Sequence, residues 1–217
     1  MSGNDGLNSK IEADPEHPAK IYISDFDNNG QVECVPVYYK SDGKAYPFNL
    51  HDDIIRQLPA MKKKFLRYDT YAGKSIDEIF TPEQLEKALV LTVNQTQTCA
   101  FYNKGKGEFT MTPLPARAQF SPVYSILVMD INNDGKKDLF LGGNFYGVKP
   151  EVGRYDASYG VTLLGAGNRR FNYIPPYQSG LFVTGEVRDA ADIDTKTGKY
   201  VIVARNNDAL EIFRKQK

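Results

Sequence analysis

Two nine-residue runs constrain the fold of this chain more than any other feature. Asp25-Phe26-Asp27-Asn28-Asn29-Gly30-Gln31-Val32-Glu33 and Asp130-Ile131-Asn132-Asn133-Asp134-Gly135-Lys136-Lys137-Asp138 lie 105 positions apart and share one spacing. Oxygen-bearing side chains stand at positions 1, 3, 5 and 9, with glycine at position 6. Alternate residues of a tightly turned loop can bring their oxygens to one point, and glycine permits the reversal of the backbone. Ca²⁺ takes about six to eight oxygens at roughly 2.3–2.6 Å, which such a loop can supply. Position 7 would add its backbone carbonyl while its side chain points away. Each run carries three carboxylates, whose repulsion a divalent cation would relieve. The candidate metal ligands are therefore Asp25, Asp27, Asn29, Gln31 and Glu33 in the first loop. In the second they are Asp130, Asn132, Asp134, Lys136 and Asp138, and one calcium ion is expected in each. The competing reading is an ordinary Asp/Asn/Gly hairpin turn, a common composition.

An EF-hand begins with the same spacing, but it requires a glutamate at position 12 and helices on both flanks. Here position 12 is Pro36 or Leu141, and the flanks read as strands. Ile21-Tyr22-Ile23 superposes on Ile126-Leu127-Val128 by the same 105-residue shift. A shift of 62 places Phe109 on Phe171, Phe120 on Phe182, and Asp130-Ile131-Asn132 on Asp192-Ile193-Asp194. Three copies of a strand, polar loop and second strand emerge, the signature of a repeat architecture. The third copy keeps Asp192 and Asp194 but has Lys196 at position 5, Tyr200 at position 9 and its glycine displaced to Gly198. An ammonium at the ion position is expected to replace the metal there.

Between Leu50 and Leu89 the pattern turns helical. Ile54, Ile55, Leu58 and Met61 recur at helical steps. Ser75 with Glu78, and Thr81 with Pro82 and Gln84, read as helix starts. This segment, 51–89, is read as an insertion. Strand character resumes at Val90–Val93, and a hairpin follows from Thr98 to Met111 across Gly105 and Gly107. A later hairpin joins Val161–Leu164 to Phe171–Ile174 across Gly165 and Gly167. Each unit thus supplies about four short antiparallel strands, the content of a propeller blade.

The D-x-D/N-x-D/N-G-x-x-D/E loop between strands, followed by a G-x-G-x-F turn, resembles the FG-GAP or VCBS repeat of integrin-alpha-like β-propellers. The runs Gly142–Gly147, Gly153–Asp156 and Ala204–Asp208 are similar to the C-terminal portion of large surface proteins of Bacteroidetes-like bacteria. This resemblance implies calcium in the loop between the first two strands of a blade, held by Asp25, Asp27, Asn29 and Glu33, and by Asp130, Asn132, Asp134 and Asp138. The expected fold is mostly β, a single incomplete ring of propeller blades over 1–217. Its units fall at about 15–110, 111–175 and 176–217, with the helical insertion inside the first. Propellers close with about four to eight blades, so the remaining blades are expected from a longer parent chain.

The 27 basic and 27 acidic side chains cancel, which argues against a nucleic-acid partner. Two histidines, His17 and His51, and two cysteines, Cys34 and Cys99, leave no Cys/His zinc site. Each cysteine sits in a strand-like apolar run and reads as a buried thiol, although a bridge is open to them. No window suits a membrane span, and the first residues do not read as a signal peptide. The expected role is a calcium-binding module of a secreted or cell-surface protein that binds a protein or glycan. Its competitor is part of a carbohydrate-active hydrolase or lyase using calcium structurally; no carboxylate pair has catalytic spacing. Tyr146, Arg154, Tyr155, Asp156 and Tyr159 form either a recognition loop or tyrosine packing.

Overall fold

A computed structural model describes residues 1–215. The chain is mostly β, and every strand pairing is antiparallel. It divides into two compact units, Lys10–Thr96 and Met1–Ser9 with Gln97–Lys217.

In the unit 10–96, β1 (Ala19–Ser24), β2 (Glu33–Tyr39), β3 (Ala45–Pro47) and β4 (Leu89–Val93) form one sheet in the order β3-β2-β1-β4. The period-2 alternation of a strand sends Glu33, Val35 and Val37 inward and Cys34 outward along β2. Cys34 is therefore exposed, against the expectation of two buried thiols, while Cys99 is buried, and both are free.

The segment read as an insertion is helical as expected: α1 (His51–Gln57), a 3-10 turn at Pro59–Lys63, α2 (Tyr68–Tyr71), α3 (Ile76–Ile79) and α4 (Pro82–Lys87). The Glu78 carboxylate reaches back to the Ser75 N–H at 3.0 Å. Thr81 and Gln84 close a reciprocal capping box, with Thr81 N–H donating to Gln84 Oε1 at 2.9 Å and Gln84 N–H to Thr81 Oγ1 at 3.3 Å. These helices are more than an appendage. Ile54, Leu58, Phe65, Ile76, Ile79 and Phe80 pack with Phe26 of the β1–β2 loop and Val35 and Val37 of the sheet into one core.

In the second unit, β5 (Cys99–Gly105) and β6 (Glu108–Pro113) make a hairpin. A meander follows: β7 (Val123–Met129), β8 (Asp138–Gly143), β9 (Val161–Gly167) and β10 (Arg170–Ile174). Every residue of β8 is buried, because both faces of this sheet are covered. Leu139 and Leu141 enter one cluster with Leu114 and Leu163, while Phe140 enters another with Val183, Val187, Val201 and Val203. After α5 (Pro176–Ser179), β11 (Val187–Thr195), β12 (Gly198–Arg205) and β13 (Glu211–Arg214) form a three-stranded sheet. The N-terminal residues are stitched in by backbone bonds, Val123 N–H to Asn4 O at 3.0 Å and Leu7 N–H to Gln119 O at 2.7 Å.

The unit boundary at 96/97 falls inside the first repeat drawn from the sequence. There β1 and β2 are completed by β3 and β4, while β5 and β6 belong to the other unit. The stretch drawn as the second repeat contains the four-stranded meander β7–β10, and the stretch drawn as the third contains the three-stranded sheet β11–β13. Among the described residues no sheet closes on itself.

Candidate metal centre

Both nine-residue loops fold into the same hydrogen-bonded turn. Position 1 accepts two backbone N–H groups: Asp25 takes those of Asn29 (3.0 Å) and Gly30 (2.8 Å), and Asp130 takes those of Asp134 (3.1 Å) and Gly135 (2.9 Å). Position 5 accepts from position 7, Gln31 N–H to Asn29 Oδ1 at 2.7 Å and Lys136 N–H to Asp134 Oδ1 at 2.9 Å. Position 9 reaches back to position 2, Phe26 N–H to Glu33 Oε2 at 3.0 Å and Ile131 N–H to Asp138 Oδ2 at 2.8 Å. Left-handed backbone at Asn28 and Gly30, and at Asn133 and Gly135, makes the reversal in both.

The loops part company in what they leave unsatisfied. In the first, Asp25, Asp27 and Glu33 each bring an oxygen within 4.8 Å of the others. Asp27 Oδ1 is buried with no hydrogen-bond partner. Such an orphaned acceptor is costly unless a cation meets it. Glu33 is buried, only 4% exposed, and spends Oε2 on Phe26. Phe26 is itself clamped: its carbonyl accepts from Gln84 Nε2 at 2.7 Å and its ring lies 4.3 Å from that of Phe80. The helical segment thus fixes the loop from behind.

In the second loop the charges are already answered within the protein. Asp138 is fully buried, with Oδ2 on Ile131 N–H and Oδ1 on Gly165 N–H at 2.8 Å. Gly165 suits this approach because a Cβ there would meet the Lys137 carbonyl at 2.4 Å. Position 3 is Asn132, exposed and accepting from Asp134 N–H at 3.2 Å. The Lys136 side chain, expected to point away, folds back so that its ammonium lies 3.2 Å from Asp134 Oδ2. The Lys136 backbone N–H, aided by that ammonium, holds the Asp134 carboxyl below the usual carboxylate range. Among the described residues, the three-carboxylate cluster occurs at the first loop and not at the second.

At the third copy the loop is gone. Thr195 pairs with Gly198, so β11 and β12 meet in a tight hairpin, and Asp192 and Asp194 lie on the strand opposite Val201 and Lys199. Lys199 is the cation that meets Asp194, at 3.3 Å, and Lys196 is exposed in the turn. The expected ammonium at a vacated ion position is therefore not what replaces the site; a paired strand is.

Two buried polar hubs escaped the sequence reading. Asn144 accepts from Ser121 Oγ and Ser158 N–H, and donates to the carbonyls of Ser158 and Gly185. Glu186 accepts from Tyr146 N–H, Arg188 and Asn206. Neither hub has a local sequence signal, since most of their partners come from distant segments; Asn144 takes the left-handed φ of 78° that an Asn tolerates. Of the tyrosine loop, Tyr155 exchanges backbone bonds with Phe145, and Arg154 covers the Tyr146 ring at 4.9 Å. No helix among the described residues is long and apolar enough to cross a membrane. Comparison of the chain with protein-family models, curated proteins and solved structures returns no match.

Proposed function

We propose that the chain is a calcium-stabilised segment of an FG-GAP/VCBS-type β-propeller, acting as a binding or scaffolding module of a secreted or surface protein. One observation carries the metal assignment: Asp25, Asp27 and Glu33 converge within 4.8 Å around a buried oxygen that nothing in the protein satisfies. Asn29 and the Gln31 carbonyl complete an oxygen set of the kind Ca²⁺ takes. The ion would cancel the repulsion of the three carboxylates and lock the turn between β1 and β2. The second loop, with Asp130, Asn132, Asp134, Lys136 and Asp138, is the weaker site, because Lys136 and Gly165 already occupy its carboxylates. The meanders β7–β10 and β11–β13, packed through Phe140 and Val187, support the reading as adjoining blades. Millimolar calcium outside the cell would fill even a weak site of this type.

Thermal unfolding with calcium and with chelator tests this. Calcium should raise the midpoint of the wild-type chain, by about 2.7 kcal/mol of stability at a hundredfold excess over Kd. Asp27→Ala should remove most of that rise. Equal midpoints with and without calcium would overturn the assignment.

A further inference from the structure

A cleft of about 310 Å³ opens beside the 3-10 turn Ala116–Gln119, lined by Arg117, Phe120, Tyr159, Tyr173, Tyr177 and Phe182 among others. Four of its rings are exposed: Phe120 39%, Tyr159 51%, Tyr177 83% and Phe182 55%. So much exposed aromatic surface at one place marks an interaction site. The rings are held ready. Tyr159 and Phe182 stack at 5.2 Å and 10°, and Val183 N–H donates to the Tyr159 carbonyl at 3.0 Å. The neighbouring Ser158 is clamped by Asn144 through both its N–H (3.0 Å) and its carbonyl (2.8 Å). Gly160 lets the segment close onto the core, since a Cβ there would lie 2.8 Å from Phe140 Cε2.

Several polar side chains of the cleft are uncommitted. Among the described residues the hydroxyls of Tyr159, Tyr173 and Tyr177 make no hydrogen bond, and no carboxylate pairs with Arg117. Its guanidinium instead lies over the rings of Phe120 and Tyr173, at 5.2 and 5.5 Å. Flat apolar faces, three free hydroxyls and one unanswered cation complement a ligand that combines C–H faces, hydroxyls and an anion. A sugar acid has all three. A proline-rich peptide would use the rings but leave the guanidinium unanswered, and a nucleic acid would need more than one cation along its track. The volume lies at the small end of ligand pockets, the scale of one or two sugar rings.

We propose that this cleft binds a short acidic oligosaccharide, stacking one ring on Tyr159 and Tyr177 and placing its carboxylate on Arg117. Neither bound calcium nor propeller closure is required, so the proposal goes beyond the function above and stands or falls separately.

The test is titration calorimetry of the full chain in chelator, which also prevents calcium from bridging the probes to the protein. Trigalacturonate, a hyaluronan tetrasaccharide and sialyllactose are the acidic probes, with maltotriose and a proline-rich peptide as contrasts. At least one acidic probe should bind with a Kd of about a millimolar or tighter. Arg117→Gln should weaken it about tenfold, the loss of a charge-assisted contact, without abolishing stacking. Tyr177→Ala, at an exposed position, should weaken acidic and neutral sugars alike, with the circular dichroism spectrum unchanged. Amide shift changes in the wild-type protein should map to 117–120, 157–161 and 173–182 whether or not a variant folds. Binding of no acidic probe, equal affinity for maltotriose, preference for the peptide, or shifts elsewhere would each overturn the proposal.

Discussion

Position 9 separates the two loops at the level of single atoms. Glu33 and Asp138 both anchor the N–H of position 2, but Asp138 also takes the Gly165 N–H from β9. Asp138 is thereby a structural pin whether or not calcium is present. Asp138→Ala would strand two backbone donors in a fully buried place, at a cost of about 2–4 kcal/mol. Chemical denaturation should show that loss in chelator as well as in calcium. Asp27→Ala, by contrast, removes an unsatisfied acceptor and should destabilise only the calcium-loaded chain. These atomic differences were illegible in the two runs, which are equivalent by spacing. Gly165 lies 27 residues beyond Asp138, and only the β8–β9 pairing brings it close.

At the scale of elements, what was legible is what is local. Ser75 with Glu78 and Thr81 with Gln84 start helices as their spacing predicts, because a cap is made within one turn. The return of β4 to β1 was not legible, because the two strands are separated in sequence by the whole helical segment and pair only once that segment has folded. Nor was the collapse of the third loop, which follows from the register Thr195 to Gly198.

The helical segment carries its own pH dependence. His51 is buried with Nδ1 2.9 Å from Asp52 Oδ1 and Nε2 3.0 Å from the Phe65 carbonyl. Both partners are acceptors, so only the imidazolium satisfies both. The Phe65 carbonyl first, and then the Asp52 carboxylate, raise its pKa above the ordinary 6.5. A raised folded value means stability that is fully present below about pH 6.5 and lost as pH rises through the folded pKa. Denaturant midpoints of the wild type should fall over that window, and His51→Gln should flatten the fall.

The edge strand β4 exposes all five of Leu89-Val90-Leu91-Thr92-Val93. An apolar edge of this kind templates aggregation. Leu91→Lys should lower light scattering on concentration and leave stability within about 0.5 kcal/mol.

Across the whole molecule, the intact three-carboxylate loop belongs to the unit 10–96 and its charge-satisfied copy to the other. The two nine-residue turns were readable because each is one local motif, whereas the unit boundary at 96/97 rests on long-range packing around Phe26, Ile54 and Phe80. Of the aromatic cleft only Tyr159 stood out in the sequence as a recognition residue, because the lining residues span 117–182 and share no sequence pattern. Ion binding, rather than architecture, is the central claim, and titration calorimetry of Ca²⁺ into the chain tests it most directly. The expected result is one stronger site that Asp27→Ala abolishes, and at most a weaker second site that Asp134→Ala removes. No calcium heat at millimolar concentration, or a stronger site that survives Asp27→Ala, would contradict it.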